Sequence, residues 1–568
     1  MLTIYLCVVA LLVVGLMKKC KPYPPGPLKL PLIGNLLEMP LDRQWVKFSE
    51  WARQYGPIVH VTVGPQHIVI LNTPEVINDL FVQRSRIFSD RLAPHVASEI
   101  LSARQRLLYM SGLSEEFKAI RKLYHGAMGP NTARTYRDIQ ELESRVLVHD
   151  LIAAVDTESN FKQPKGYRMA NPSQHWYSFV DRFNTSVILT VTYGKRIPNY
   201  AIDDVLQEIQ DTAENVARCS MPGAFMADHL PILRYLPDFL APWRLKAQKM
   251  HEREIELYGS FLDEIRSDMK KGISRPDCLV GNYLKERAEH GLEELPGKGL
   301  LGGSFWMRDI LLTYTAGTLL EAGSDGTGAV MKTFILFMVA HPDVLEKVQA
   351  EMDAVVGPER LPLFEDQERL PYFMACLKEV LRCRSPAPIG VPHSPSEDIH
   401  CQNYLIPKGS VVFGNLHGLH LDPKRFPEPH KFLPERWLHP MNGESVKLND
   451  VPDPSRDLYA FGWGRRYCPG SHVAESSLFI ALSRLIWGIE IRAVDLKSGT
   501  STQDPWNEES YTPGFISNPR PFKVPFRPRS ARHVQVIRNA FEEAQAQWEI
   551  LGMDKDGMGL KVDNITSH

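Results

Sequence analysis

Phe461-Gly462-Trp463-Gly464-Arg465-Arg466-Tyr467-Cys468-Pro469-Gly470 decides how this chain is read. It satisfies the pattern F-x-x-G-x-R-x-C-x-G at every fixed position. With average usage near one residue in twenty, such a match arises by chance in a chain this long roughly once in ten thousand. Each position has a physical use around a cysteine that binds iron as its thiolate. Gly464 and Gly470 permit a tight turn whose backbone amides point at the sulfur. Arg466 can pair with a carboxylate on the bound group, and Phe461 shields the sulfur from water. A lone cysteine beside a Pro-Gly turn is ordinarily a buried, inert thiol, and the complete pattern argues against that reading. A thiolate ligand pushes electron density through iron toward bound oxygen and favours O–O cleavage.

The segment resembles the cysteine-ligand loop of the cytochromes P450, and further marks of that family stand elsewhere. Glu379-Val380-Leu381-Arg382 is similar to its E-x-x-R, and Pro434-Glu435-Arg436-Trp437 to its P-E-R-F, with Trp in the last place. Residues three apart share a helix face, so Glu379 and Arg382 can pair and take Arg436 as a third member. Ala322-Gly323-Ser324-Asp325-Gly326-Thr327, inside the apolar run from Ile310 to Ala340, resembles the oxygen-binding motif A-G-x-D-T-T. Glycine there loosens the helix and lets a pocket open beside the iron, where an acid and a hydroxyl relay protons. Phe117-Lys118-Ala119-Ile120-Arg121 stands where the family often has W-x-x-x-R, so the ring is kept and the indole N–H lost. His393 falls where relatives place a His or Arg against a haem propionate, and Pro24-Pro25-Gly26-Pro27 resembles the hinge of microsomal members.

The resemblance implies a mainly α fold with a minor β-sheet region, the cytochrome P450 fold, as one large haem domain behind an N-terminal membrane anchor. It implies haem b with Cys468 as the iron ligand. Arg466, Phe461, Gly464, Gly470, Arg121 and His393 complete the expected cofactor site. Asp325 and Thr327 are the expected catalytic residues, together with Gly326, where the chain departs from its family. The usual first Thr of the pair hydrogen-bonds activated oxygen; glycine offers no hydroxyl. Two consequences compete: a monooxygenase with a substitute relay, or an oxidase that inserts no oxygen (phenol coupling, desaturation or rearrangement). A catalytically silent haem-binding protein is a third reading, and Gly326 can also simply make room for a bulky substrate. The style of the motif is most like fungal enzymes of secondary metabolism. The chain shows no flavin or nicotinamide fingerprint, so electrons from NADPH must come through a partner, an NADPH–cytochrome reductase. The segments Ala93 to Leu101, Leu319 to Thr327, Pro386 to Val391 and Tyr511 to Phe515 are largely apolar and point to a hydrophobic or aromatic small-molecule substrate.

The rest of the chain sets this domain in context. Over 568 residues it is 43% hydrophobic and 23% charged, with a formal net charge of −2, which suits a globular protein and gives nucleic-acid binding no electrostatic support. Eight scattered cysteines without a C-x-x-C pair suit a reducing compartment. Leu2 to Met17 is almost wholly apolar and is followed by Lys18, Lys19 and Lys21, the reverse of a signal peptide's charge order. Positive residues after the run leave the bulk of the chain cytosolic, and the resemblance to microsomal members of the family implies the endoplasmic reticulum membrane. The expected parts are an anchor over 1–21, a proline-rich hinge over 22–31, the haem domain over 32–530 and a helical tail over 531–568.

Periodicity predicts a helix over Gln44 to Tyr55, strands over Ile58 to Val63 and His67 to Leu71, and helical segments over Glu75 to Gln83, Glu116 to Met128 and Ile139 to Val155. Late strands are expected at Tyr404 to Ile406, Ser410 to Gly414 and Phe522 to Phe526, able to pair with the early ones. Asp156 to Ser173 and Lys270 to Gly303 read as surface connections, and Ser530 to Leu551 as an added amphipathic helix.

Overall fold

A computed structural model describes residues 23–156, 175–198, 204–221, 224–273, 275–438, 458–491 and 503–553. The expected anchor over 1–21, most of the polar stretch Asp156 to Ser173 and residues 554–568 lie outside them. In chain order the main elements are α1 (Gln44–Tyr55), β1 (Ile58–Val63), β2 (Gln66–Leu71), α2 (Glu115–Met128), α3 (Arg137–Asp156), α4 (His175–Tyr193) and α5 (Asp204–Ser220). There follow α6 (Pro242–Lys271), α7 (Leu279–Glu289), α8 (Asp309–Ala340), α9 (Pro342–Val355), α10 (Pro371–Cys383), β3 (Ile399–Cys401), β4 (Tyr404–Ile406) and β5 (Val411–Gly414). The chain ends with α11 (Ser471–Gly488), β6 (Ile489–Ile491), β7 (Phe526–Pro528) and α12 (Ala531–Ile550).

The 32-residue α8 is the axis of the fold. It is apolar nearly all round, as suits a helix that is mostly buried, and Pro342 stops its continuation. Its first half, including Leu311, Leu312 and Leu320, packs with Tyr124, Leu189, Tyr258 and Phe261 in one hydrophobic cluster. Its last part, Val330 to Val339, packs with α4, α9, α10 and α11 in another. Between these two anchored halves lies the glycine-bearing stretch from Ala322 to Thr327, so both ends of that stretch are held by the core.

The sheets are small. β1 pairs antiparallel with β2, and β2 pairs parallel with β5. Of the late strands only β5 joins an early one; β4 pairs with its neighbour β3, and β7 with β6. The expected strand over Phe522 to Phe526 is displaced: pairing begins at Phe526, while Phe522 packs edge-on to Trp176. The proline-rich segment is docked rather than free, since Pro25 O accepts from His60 N at 2.9 Å. A Cβ at Gly26 would lie 2.1 Å from the His60 carbonyl oxygen, so only glycine permits that approach.

One surface connection needs correction. Lys270 to Gly303 contains α7, which buries Leu279, Val280, Tyr283 and Leu284. Its other face is polar, and Gly and Pro on both sides hid an 11-residue helix in a polar composition. At the far end, Ser530 caps α12 by accepting from His533 N. The helix lies on α3, with a Phe541 ring stacked 3.7 Å from His149, and its fully buried Trp548 sits under the Arg196 guanidinium, just past the end of α4.

The charged triad forms, and it has a fourth member. Glu379, fully buried, accepts from Arg382 Nε and Nη2, each at 2.8 Å, and from Arg436 Nε at 3.0 Å. Trp437, standing where Phe was expected, adds its indole N–H to Glu379 Oε2 at 2.8 Å. Among the described residues no single helix is long and apolar enough to cross a membrane, and all six cysteines are free thiols.

Candidate functional site

Cys468 stands two residues before Gly470, the cap of α11, whose first residue is Ser471. The loop leading to it is pinned by its own backbone: Cys468 N donates to Phe461 O at 2.9 Å and Gly462 N to Tyr459 O at 2.9 Å. Phe461 therefore holds the cysteine with its carbonyl as well as placing a ring nearby. Gly464 is required twice over, by a φ of +50° and because a Cβ would lie 2.1 Å from Phe81 O. Gly470 is not: its φ is −87° and a Cβ would meet nothing within 4 Å. What Gly470 supplies is its amide, which donates toward the sulfur. Gly462, with φ +78°, is the turn glycine that the pattern left unmarked. Burial pushes the Cys468 thiol up, while the Gly470 amide and the Arg121 guanidinium act in the opposite sense and favour the thiolate.

Around this loop lies a group of cations. Arg121 Nη1 donates to Tyr467 O at 3.0 Å, next to the cysteine. Arg466 donates to Ser89 O, Leu107 O and Met110 O. Its guanidinium lies 4.2 Å from the centre of the Phe117 ring, so the ring that replaces Trp serves as a platform for the arginine. Arg91, which the sequence reading missed, donates to Val391 O at 2.6 Å, and its buried Nε has no partner among the described residues. Burial holds both Arg91 and Arg466 below the ordinary arginine range, Arg466 at about 10, and Arg466 further depresses Arg91. No periodicity or motif marks Arg91; only the approach of residues 88–91 to the Cys468 loop reveals it. His393 is buried, stacked 4.0 Å from Phe81, with Nδ1 donating to Phe88 O at 2.6 Å. Burial and the neighbouring Arg91 hold it neutral. In that tautomer Nε2 is an acceptor, so His393 can donate to an anion only as the imidazolium.

The distal residues sit on α8. Ala322 is exposed although its helix is otherwise mostly buried, and a Cβ at Gly326 would meet nothing within 4 Å. Gly323 also has a packing role: a Cβ there would lie 2.6 Å from Ile188 Cγ1, so it lets α4 close on α8. Asp325 Oδ1 accepts from Asn518 Nδ2 at 2.9 Å, and Thr327 is half-buried two residues on. Burial raises the Asp325 carboxyl above the usual range, against the pull of Asn518 and Lys332.

One turn before Asp325, Glu321 belongs to a second polar cluster. Arg106 pairs with both Glu321 and Glu254 of α6, and all three are buried. Tyr258 donates to Glu321, Tyr314 donates to Glu254 at 3.1 Å, and His251 Nδ1 meets the Tyr314 hydroxyl at 2.5 Å. One guanidinium cannot neutralise two carboxylates, and burial with the nearby Glu321 pushes Glu254 up to about 8.

A thiol at a helix start, an unmatched group of arginines beside it and an open glycine-bearing helix face together suit a flat apolar group that carries iron and two carboxylates. The cationic cluster answers the carboxylates, and the orphaned Arg91 Nε is a donor still to be used.

Comparison with known proteins agrees. The family profile described as Cytochrome P450 matches residues 24–526. The chain is 42% identical to cytochrome P450 monooxygenase 231 of Postia placenta, over 94% of both chains. It is 33% identical to cytochrome P450 monooxygenase virE of Hypocrea virens, over 96% of this chain and 91% of that one. In structure it resembles a zebrafish cytochrome P450 solved with abiraterone, with a TM-score of 0.64 at 22% identity, covering 86% of this chain and all of the other.

Proposed function

This chain belongs to the cytochrome P450 family and is a monooxygenase of it, and from that premise we propose that it oxidises a hydrophobic or aromatic small molecule in fungal secondary metabolism, using haem b and electrons passed from NADPH by a separate reductase. The observation that carries this reading is the convergence of the Gly470 amide and Arg121 on the Cys468 sulfur at the start of α11. Cys468 is the proposed iron ligand. Arg466, Arg121 and Arg91 would hold the haem carboxylates, with His393 at the edge of that group. When bound, haem supplies the activation of oxygen that no side chain here can provide.

The chain's own residues do the rest. Gly464 and the Phe461 carbonyl hold the cysteine in place. Asp325 takes and gives a proton at its carboxylate, and burial raises its pKa above the usual carboxylate range, which favours the acid form. Thr327 offers a hydroxyl beside it, and Gly326 leaves open space that water or a substrate hydroxyl can use. Exposed Arg465 and Lys122 provide a basic face for an acidic reductase surface. Exposed Met226, Leu230, Ile232, Tyr235 and Phe239 support contact with the endoplasmic reticulum membrane beside an anchor over 1–21.

Replacing Cys468 by Ala is expected to abolish the reduced carbon-monoxide band of the protein; a retained band would sink the ligand assignment. Turnover with reductase under labelled O₂ then separates insertion from coupling or desaturation. Label in the product supports monooxygenation of the substrate, and unlabelled oxidised product supports the oxidase reading.

A further inference from the structure

Asp325 is met by a residue from a distant part of the chain. Asn518 ends a loop closed on itself: Thr512 N donates to Asn518 O at 2.8 Å, and Asn518 N donates to Thr512 Oγ1 at 3.0 Å. Ser517 N donates to Pro386 O at 2.8 Å, which fastens the loop to the segment after α10. The Asn518 side chain is thus presented from a braced backbone. Its Nδ2 donates to Asp325 Oδ1 at 2.9 Å, while its Oδ1 is buried and has no hydrogen-bond partner among the described residues. A buried acceptor in that state is uncommon in native proteins and calls for an explanation.

The charged groups that face Asp325 do not explain it. Lys332, on the same helix, pairs with Asp181 of α4 at 2.6 Å and lies 4.8 Å over the Tyr177 ring. Lys332 lowers the Asp325 pKa and Asp181 raises it, so their influences oppose each other. The remaining partner is the amide, and an amide has two ends. As a donor it suits a carboxylate; turned half over, it offers an acceptor that suits a carboxylic acid.

We infer that Asn518 is a positioning residue for proton transfer at Asp325, its N–H holding the carboxylate and its Oδ1, after rotation of the amide, holding the carboxylic acid. The inference rests on the reading of Asp325 as the distal acid. The exchange is balanced by protons alone: the carboxylate gains one from water to become the acid, and passing it on restores the carboxylate. No heavy-atom bond forms or breaks. The unpartnered Oδ1 is then the acceptor of the protonated state, waiting for its donor.

The test is an infrared titration of the haem-loaded protein with labelled aspartate, the Asp325 band being assigned by its loss in Asp325→Asn. Asn518→Leu removes both hydrogen bonds at similar volume; the charge-assisted one to the carboxylate is the stronger of the two, so the Asp325 midpoint is expected to rise by about one pH unit. Asn518→Asp, an isosteric change that guards against misfolding of the first variant, sets a second carboxylate beside Asp325 and is expected to raise the midpoint further. Both variants should divert more reducing equivalents to peroxide while leaving KM for substrate unchanged, which a merely structural role would not do. Midpoints equal to wild type in both folded variants overturn the inference. Wild-type turnover and coupling in Asp325→Asn would instead overturn the distal-acid reading, and the infrared midpoints would still report on the pairing by themselves.

Discussion

Replacing Glu254 by Gln is expected to flatten the dependence of this protein's stability on pH. In the folded chain Glu254 is buried with Arg106 and Glu321, and its carboxyl is pushed from the ordinary 4.5 up to about 8, first by burial and then by Glu321. In the unfolded chain it titrates near the ordinary value. Between those two pH values the native state keeps a proton that the unfolded state has lost, so stability falls as pH rises through that window and levels off above it. At about 1.4 kcal/mol per pH unit, the interval corresponds to about 5 kcal/mol, an upper figure because the cluster can relax as it ionises. Gln has the shape of the protonated acid and still accepts from Arg106 and Tyr314. Denaturant unfolding of both proteins from pH 5 to pH 9 measures the difference. The variant should gain steadily on wild type as pH rises, approaching that figure above pH 8. Parallel curves would show that Glu254 is ionised throughout and that the buried cluster carries its charge without strain.

Two further outcomes follow from local geometry. Trp437→Phe restores the family's usual residue but removes the indole N–H from a fully buried Glu379, and is expected to cost about 1.5–3 kcal/mol in urea unfolding; an unchanged midpoint would mean that the two arginines already satisfy the carboxylate. Gly326→Thr should fold at least as stably as wild type, since its Cβ meets nothing within 4 Å and glycine is a poor residue mid-helix. If the relay is merely weakened, this variant should convert more NADPH into product, and unchanged coupling would favour proton delivery by the substrate or water.

The helices and the early strands were legible because their apolar periodicity is strong: α1 and β1 lie where the pattern put them, and α8 begins one residue earlier. α7 was not, because its buried face is short and its flanks are rich in Gly and Pro. The glycines divide in the same way. Gly464 could be read from its motif, whereas the packing role of Gly323 could not, since it lies in the approach of Ile188 from another helix.

The site shows the same division. By itself the sequence determined the cysteine, its loop, the Glu379–Arg382 pair and the departure at Gly326, because each is a local pattern whose chemistry depends on neighbours in the chain. Only the tertiary structure decided that Arg91 joins Arg466 beside Cys468, that Trp437 serves Glu379, that Arg106 binds two acids from different helices and that Asn518 meets Asp325. These partners are separated by 58 to 375 positions along the chain. Burial makes such contacts strong and shifts their pKa values, and burial is a property of the packed molecule that no stretch of sequence carries alone.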